Sequence, residues 1–195
     1  MIERIISSHS QIIAGGEVDF MQKSTMVMKG MSAQHAKAFE GKFAKSHLSR
    51  EYLATLYGYL VKERFGEVGT IVDKTLGNSR YLGLISSVFP KSPKIWVRRD
   101  PMDAALSCFR TFFSGAMDWS WSFENIAQHF INEDLLFEHW CKMFGEEVLV
   151  IPYKEFVTAL QVREPVYQAS VGISESYLSI MKPFIDNYGV ESSRV

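Results

Sequence analysis

Four short apolar segments alternate with helical patterns, and this alternation constrains the fold more than any other feature of the sequence. The segments cover residues 11–14, 70–73, 95–97 and 148–152, and helical patterns separate them. Strands joined through helices pair in parallel, so we predict an α/β domain whose parallel sheet is flanked by helices. In such sheets ligands bind outside the carboxyl ends of the strands, so those ends indicate where function lies.

Capping residues and helix breakers mark the ends of the predicted helices. Ser49 and Ser122 are predicted N-caps. Gly66 and Gly145 are predicted C-terminal stops, and Pro183 should split the last helix. The first helix has no N-cap, which suggests that further sequence normally precedes it. We predict helices over residues 1–9, 18–28, 32–46, 50–65, 79–88, 123–144 and 174–188, with a further helix that begins at Pro101.

Composition places the chain among globular proteins. It has 195 residues, of which 47% are hydrophobic and 22% are charged, so we predict one domain over residues 1–195. The formal net charge of −1 argues against a nucleic-acid partner bound through bulk positive charge. No apolar run approaches the roughly 20 residues that cross a bilayer, and the start does not read as a signal peptide. We therefore expect a cytoplasmic protein that binds neither nucleic acid nor membrane, and the sequence does not indicate an oligomeric state.

The cysteines show no sign of metal or disulfide chemistry. Cys108 and Cys141 lie within apolar helical patterns, so buried free thiols are expected. The sequence contains no CxxC pair and no Cys/His spacing typical of a metal site. We therefore predict no bound metal.

The stretch KIWVRRDPMDAALS, residues 94–107, reads as a buried strand that leads into a helix. Asp100 can cap that helix, and Pro101 suits its first turn. If Ser107 lies two turns into the helix, Arg99 and Ser107 can face one anion at the strand end. A guanidinium binds two phosphate oxygens and a hydroxyl adds a third contact, so a phosphate site is one interpretation. The alternative is that Arg99 pairs with an acidic residue and Ser107 is packed in its helix.

Two other strand ends carry groups suited to acid–base and charge chemistry. Lys74 could neutralise charge on a leaving phosphate, or it could form a salt bridge to Asp73 or Glu17. Glu17 could act as a general base toward a hydroxyl, or it could be a carboxylate stabilised by the start of a helix. His9 is a second candidate for the base, although a lone histidine at a helix end is more often structural.

Taken together, these motifs resemble those of the sulfotransferases that use 3′-phosphoadenylyl sulfate. The likeness is to the bacterial type often fused to tetratricopeptide repeats and to the tyrosylprotein sulfotransferases. Six pieces match in order and cover most of the chain: ERIISSHSQIIAGGE, IVDKTLGNSRYLGLISSVFP, KIWVRRDPMDAALSCF, the long helix with LFEHW, VLVIPYKEF and QVREPVYQASVG.

The resemblance implies a role for each matching residue. Arg99 and Ser107 would hold the 3′-phosphate of 3′-phosphoadenylyl sulfate. Tyr153 would approach this cofactor from the next strand end, and Thr158 would lie near the transferred group.

The same resemblance implies the reaction. Glu17 would be the base that deprotonates an acceptor hydroxyl, and Lys74 would stabilise the leaving group. The implied chemistry is in-line transfer of a sulfuryl group without a metal, by analogy with phosphoryl transfer. The acceptor would be a small molecule, a sugar or a protein tyrosine, and no stretch of the sequence tells which.

The chain also departs from the family pattern. The family has a P-loop-type sheet with a central first strand and a PRSGTS-type loop that binds the 5′-phosphosulfate, and this sequence has no such stretch. The segment from Val157 to Gln161 is shorter than in the family, and Ile173 stands where a basic residue usually contacts the cofactor. We therefore expect a sheet that lacks its central strand, weak cofactor binding and little or no turnover by this chain.

Two other functions are compatible with the sequence. A non-catalytic binding or interaction domain could retain the same scaffold. A nucleotide kinase-like phosphotransferase shares the sheet type, but it needs a GxxxxGK[ST] loop, which the sequence does not contain.

Overall fold

The computed structural model describes residues 2–32, 47–67, 69–111, 113, 117–160 and 171–189. These residues form a mixed α/β structure that is mostly helical. The strands are β1 (Ile12–Gly16), β2 (Thr70–Asp73), β3 (Lys94–Arg98) and β4 (Val148–Pro152). The α-helices are α1 (Ile2–Ile6), α2 (Phe20–Ser32), α3 (His47–Phe65), α4 (Asn78–Val88), α5 (Pro101–Arg110), α6 (Phe123–Phe144), α7 (Tyr153–Leu160) and α8 (Lys182–Tyr188). Short 3₁₀ helices cover Asp118–Trp121, Gly145–Glu147 and Ile173–Tyr177.

The described strands form two small parallel sheets. Strand β1 pairs with β2, and β3 pairs with β4. Both pairings are parallel, as predicted for strands joined through helices. The P-loop-type arrangement and the missing central strand remain predictions.

The chain divides into two compact units, residues 1–92 and residues 93–195. The single domain expected from the length of the chain remains a prediction. In the first unit, β1 and β2 accompany α1 to α4. The Phe20 ring meets the Tyr57 ring edge-on at 5.8 Å between centroids. Among the described residues of this unit, the buried apolar side chains are Val18, Phe20, Met21, Leu53 and Leu82.

Strand β1 extends further than the sequence predicts. The predicted strand ends at Ala14, with the two following glycines as a stop, but the observed strand continues through Gly15 and Gly16. A Cβ atom at Gly15 would lie 2.7 Å from the carbonyl oxygen of Val72, so only glycine allows this approach of β1 to β2. The strand pairing then becomes irregular between Ala14 and Gly16, where Gly16 adopts a φ of +68°. The glycines therefore belong to the sheet, and the predicted end was wrong.

The second unit is built around α5, α6 and α8, which enclose a hydrophobic core. Asp100 caps α5 by accepting a hydrogen bond of 3.0 Å from the amide of Asp103, and Pro101 begins the helix, as predicted. Ser122 caps α6 by accepting a hydrogen bond of 3.2 Å from the amide of Asn125, also as predicted. The buried core residues are Met102, Ala105, Leu106, Phe123, Ile126, Ala127, Met181 and Phe184.

Other helix boundaries were predicted with mixed success. Helix α3 begins at His47, so Ser49 lies inside the helix and the predicted cap was wrong. Gly66 ends α3 with a φ of +77°, and its amide bonds to the carbonyl of Lys62, as expected for a C-terminal stop. The last predicted helix is split, with Pro183 in the first turn of α8. Most of the helix predicted over residues 32–46 lies outside the described residues.

Candidate functional site

The first unit brings Glu17 and Lys74 together. The Lys74 Nζ atom lies 2.7 Å from the Glu17 Oε1 atom, and both side chains are about half exposed. The backbone amide of Lys74 donates a hydrogen bond of 2.9 Å to the carbonyl of Gly16, which joins the ends of β1 and β2. This ion pair is the alternative that the sequence left open for Lys74. It also leaves a carboxylate and an ammonium group at one accessible sheet end.

A hydrogen-bond network fixes the backbone on both sides of Lys74. The Asp73 carboxylate accepts hydrogen bonds from the Tyr57 hydroxyl at 2.9 Å and from the Thr75 amide at 3.0 Å. The Thr75 hydroxyl oxygen accepts a hydrogen bond of 3.0 Å from the amide of Asp19, whose φ of +55° is left-handed. Burial and the neighbouring Asp73 carboxylate raise the pKa of Tyr57, so this phenol stays protonated and remains a donor.

Helix α1 also contributes to this sheet end. The Glu3 Oε1 atom accepts a hydrogen bond of 2.6 Å from the amide of Gly16. His9, the second candidate for a base, is exposed, and its Nδ1 atom accepts a hydrogen bond of 3.3 Å from the amide of Gln11. The geometry therefore associates Glu17, rather than His9, with Lys74.

The second unit contains a pocket beside the C-terminal half of α5, with a volume of about 290 Å³. Arg99 reaches it from the end of β3, α5 supplies three more residues, and Thr111 follows directly after that helix. None of the described lining residues is acidic. They are Arg99, Leu106, Ser107, Arg110, Thr111 and Ile173.

The two arginines at the end of β3 have different surroundings. Arg98 forms an ion pair with Asp134, which also accepts a hydrogen bond from the Tyr188 hydroxyl. The Arg98 guanidinium also lies 4.6 Å from the centre of the Phe137 ring. Burial and the Asp134 carboxylate raise the pKa of Tyr188, so the Tyr188 hydroxyl stays protonated and remains the donor to Asp134. Arg98 thus joins β3 to α6 and α8, whereas Arg99 lines the pocket.

The remaining candidate cofactor residues are Tyr153 and Thr158. Both belong to α7, but their surroundings differ. The centre of the Tyr153 ring lies 5.7 Å from the Arg99 guanidinium carbon. Thr158 is exposed and donates a hydrogen bond of 2.9 Å to the carbonyl of Lys154. The structure therefore brings Tyr153 next to Arg99, but neither Tyr153 nor Thr158 is among the described residues that line the pocket.

Asp103 is a site residue that no local sequence signal marks. Its side chain is only 3% exposed, and it accepts hydrogen bonds from the amides of Gly172 and Ser174 at 2.6 and 3.0 Å. The Ser174 hydroxyl adds a third hydrogen bond of 2.8 Å. The residue between these partners is Ile173, which lines the pocket.

The thiol of Cys108 lies one residue beyond Ser107 and responds to the charge of Arg99. Burial raises the pKa of Cys108, and the Arg99 guanidinium opposes that rise. Both cysteines are free thiols, as expected, but both are partly exposed, so the prediction that they are buried was wrong.

The described residues contain no cluster of three or more histidine, cysteine or acidic side chains that could hold a metal ion. Across the same part of the chain, no helix combines the length and the apolar character needed to cross a membrane.

A protein-family model described as the sulfotransferase family matches residues 1–162. That match covers most of the chain, so the chain belongs to the sulfotransferase family. An uncharacterized protein from Aquifex aeolicus (strain VF5) is 26% identical over an alignment of 161 residues, and the alignment covers 79% of this chain and 21% of that protein. The chain thus spans about a fifth of the length of this curated relative. No solved structure matches the chain.

Proposed function

We propose that this chain carries the nucleotide pocket and the catalytic pair of a sulfotransferase that transfers a sulfuryl group from 3′-phosphoadenylyl sulfate to an acceptor hydroxyl. Membership of the family supports the transfer of a sulfuryl group in general. The donor, the residues that act and the acceptor are parts of the proposal. The cytoplasmic location remains a prediction.

The observation that carries the proposal is the pocket shared by Arg99 and Ser107. A guanidinium and a hydroxyl are the donor types that bind phosphate oxygens, and no described lining residue would repel an anion. These donors fit the 3′-phosphate of the nucleotide. Tyr153, next to Arg99, is the proposed contact from the neighbouring strand end. Thr158 stays in the proposal on the resemblance alone.

Glu17 and Lys74 are the proposed catalytic residues. The donor, when bound, supplies the sulfuryl group and leaves as adenosine 3′,5′-bisphosphate. The Glu17 carboxylate takes up the proton of the acceptor hydroxyl, which makes the oxygen a better nucleophile. The Lys74 ammonium neutralises the negative charge that develops on the leaving phosphate. The two groups lie 2.7 Å apart, so the proposed base and the proposed charge-stabilising group occupy the same sheet end.

A non-catalytic nucleotide-binding domain is the second candidate function. Residues 1–195 contain no PRSGTS-type stretch, which would supply backbone N–H groups to the phosphosulfate. In that case the pocket at Arg99 would bind nucleotide without transfer.

The test is a pair of titrations of this chain, one with adenosine 3′,5′-bisphosphate and one with adenosine 5′-monophosphate. Two-dimensional NMR monitors binding in both. We expect millimolar affinity for the bisphosphate, because each lost charge-assisted hydrogen bond costs roughly 1.5–3 kcal/mol. Arg99→Ala should abolish the preference for the bisphosphate, whereas Arg64→Ala, an exposed arginine in the last turn of α3, should not.

Two results would contradict the proposal in different ways. Unchanged affinity in Arg99→Ala would mean that the pocket does not bind the 3′-phosphate. Micromolar affinity in the unmodified chain would mean that the phosphosulfate loop is not needed for tight binding.

A further inference from the structure

Asp103 is buried next to the proposed nucleotide pocket, although it has no part in the proposed chemistry. Its Oδ2 atom accepts a hydrogen bond from the amide of Gly172, and its Oδ1 atom accepts two from Ser174. All three donors belong to one turn, residues 172–174. A buried carboxylate with three donors holds such a turn far more firmly than apolar packing alone would.

This turn supplies one wall of the pocket. Ile173 lies between the two residues that Asp103 binds, and it lines the pocket with Arg99 and Ser107. Asp103 lies one helical turn before Ser107, so the anchor and the phosphate ligand occupy the same face of α5. An aliphatic side chain cannot stabilise a phosphate charge. Ile173 is therefore suited to contact the nucleoside part of a ligand whose phosphate is held by Arg99.

We propose that Asp103 is a positioning residue for nucleotide binding, which holds the 172–174 turn so that Ile173 forms the nucleoside wall of the pocket. This inference rests on the proposed function of the pocket. It assigns to Asp103 an effect on affinity that acts through Ile173 and not through contact with the ligand.

A double-mutant cycle on the full chain tests this role, with adenosine 3′,5′-bisphosphate as the ligand. Asp103→Asn places an amide group against the amide of Gly172 or Ser174, so the turn should move, and Ile173→Ala removes the wall itself. We expect each single variant to bind about 5- to 10-fold more weakly, as one or two lost contacts would produce. The double variant should bind no more weakly than the weaker single variant, because both changes remove the same contact. If the two losses multiply, Asp103 does not act through Ile173 and the proposal is wrong.

Ser174→Ala is a milder second test of the same role, which remains informative if the Asp103→Asn variant folds poorly. It removes one donor and leaves the carboxylate and both amides in place. We expect a loss in affinity of about 2- to 3-fold, which disappears when Ile173 is already alanine. A loss that persists in the Ile173→Ala background would contradict the proposal.

Asp134→Asn is the matched control. Asp134 is also a carboxylate of this unit with two partners, Arg98 and Tyr188, but the 172–174 turn is not among them. Asp134→Asn should leave the affinity unchanged. If it does weaken binding, its fold-loss should multiply with that of Ile173→Ala in the double variant. If the coupling between Asp134 and Ile173 were as strong as the coupling between Asp103 and Ile173, both substitutions would be loosening the whole unit. That result would overturn the positioning role of Asp103.

The outcome for Arg99 separates this inference from the proposed function. If Arg99→Ala abolishes binding and Asp103→Asn binds like the unmodified chain, the positioning role is wrong and the proposed function stands. If the unmodified chain does not bind at millimolar ligand, or if Arg99→Ala has no effect, both are wrong.

Discussion

The positive charge of Arg99 affects the pKa of the Cys108 thiol, so the reactivity of this thiol can be used to measure that charge. Cys108 has a pKa raised by burial, and the Arg99 guanidinium keeps that rise in check by favouring the thiolate. Any change that removes or neutralises the guanidinium should therefore raise the pKa further. Because the thiolate is the reactive form, the alkylation rate of Cys108 measures this charge without a ligand.

Arg99→Ala should slow the alkylation of Cys108 by iodoacetamide at mildly alkaline pH. The higher pKa would lower the fraction of thiolate at a given pH, so the rate should fall several-fold. Mass spectrometry of the modified peptides gives the rates of both thiols in one experiment, with Cys141 as the internal reference. Equal slowing of the two thiols, or faster alkylation of Cys108, would show that the variant changed exposure and not the pKa.

The two adjacent arginines show why residue roles are hard to assign from sequence alone. The pattern RRDP places both Arg98 and Arg99 at the end of a strand and gives no reason to separate them. The structure separates them by partners that are distant in sequence. Asp134 binds Arg98 from α6, whereas Arg99 lines the pocket with Ser107.

At the scale of elements, the approach of β1 to β2 depends on a glycine. We expect Gly15→Ala to lower the free energy of unfolding by about 1–3 kcal/mol, because inserted atoms in a tight contact force the backbone apart. The added Cβ atom would lie 2.7 Å from the carbonyl oxygen of Val72, which cannot move independently of β2. Chemical denaturation followed by circular dichroism measures the change.

Gly58→Ala provides the matched control for that substitution. Gly58 lies inside α3, and a Cβ atom there would meet nothing within 4 Å. Alanine should stabilise the helix by about 0.5–1 kcal/mol relative to glycine. The two glycines should therefore respond with opposite signs. Destabilisation by both would point to a general effect of the substitution and not to the β1–β2 contact.

The elements that could be predicted are those set by local chemistry. Asp100 and Ser122 cap their helices through amides three residues away, so their function is visible in a short stretch of sequence. The same local reasoning failed at Ser49, because α3 starts two residues earlier without using it as a cap. It also failed at Gly15, where the decisive contact comes from another strand.

At the scale of the whole molecule, the proposed chemistry is divided between the two units. Glu17 and Lys74 belong to residues 1–92, and Arg99 and Ser107 belong to residues 93–195. Both groups remain predictions from sequence order, in which Glu17, Lys74 and Arg99 each follow a strand. The contacts within each group, such as Asp73 with Tyr57, could not be predicted since they depend on packing between helices and strands.

This division predicts that catalysis and nucleotide affinity can be changed separately. Glu17→Gln should leave the affinity for adenosine 3′,5′-bisphosphate unchanged, because Glu17 is proposed to contact the acceptor hydroxyl and not the nucleotide. In a longer chain that carries a PRSGTS-type strand and loop ahead of Met1, the same change should lower sulfuryl transfer about 10²–10⁴-fold. Radiolabelled sulfate transfer measures the rate. No transfer by the longer chain before substitution would favour the non-catalytic alternative, and a loss of affinity would contradict the assignment of Glu17 as the base.

The anchoring of the 172–174 turn also has a consequence for biosynthesis. The hydrogen bonds of Asp103 span 69 and 71 residues, so the ribosome releases α5 long before the partners of this carboxylate exist. Until then Asp103 has only water to bind, and closing so long a loop carries an entropic cost. A nascent chain that stops before residue 172 holds both proposed phosphate ligands but no nucleoside wall. The nucleotide therefore cannot assist the folding of this unit until its C-terminal segment has emerged.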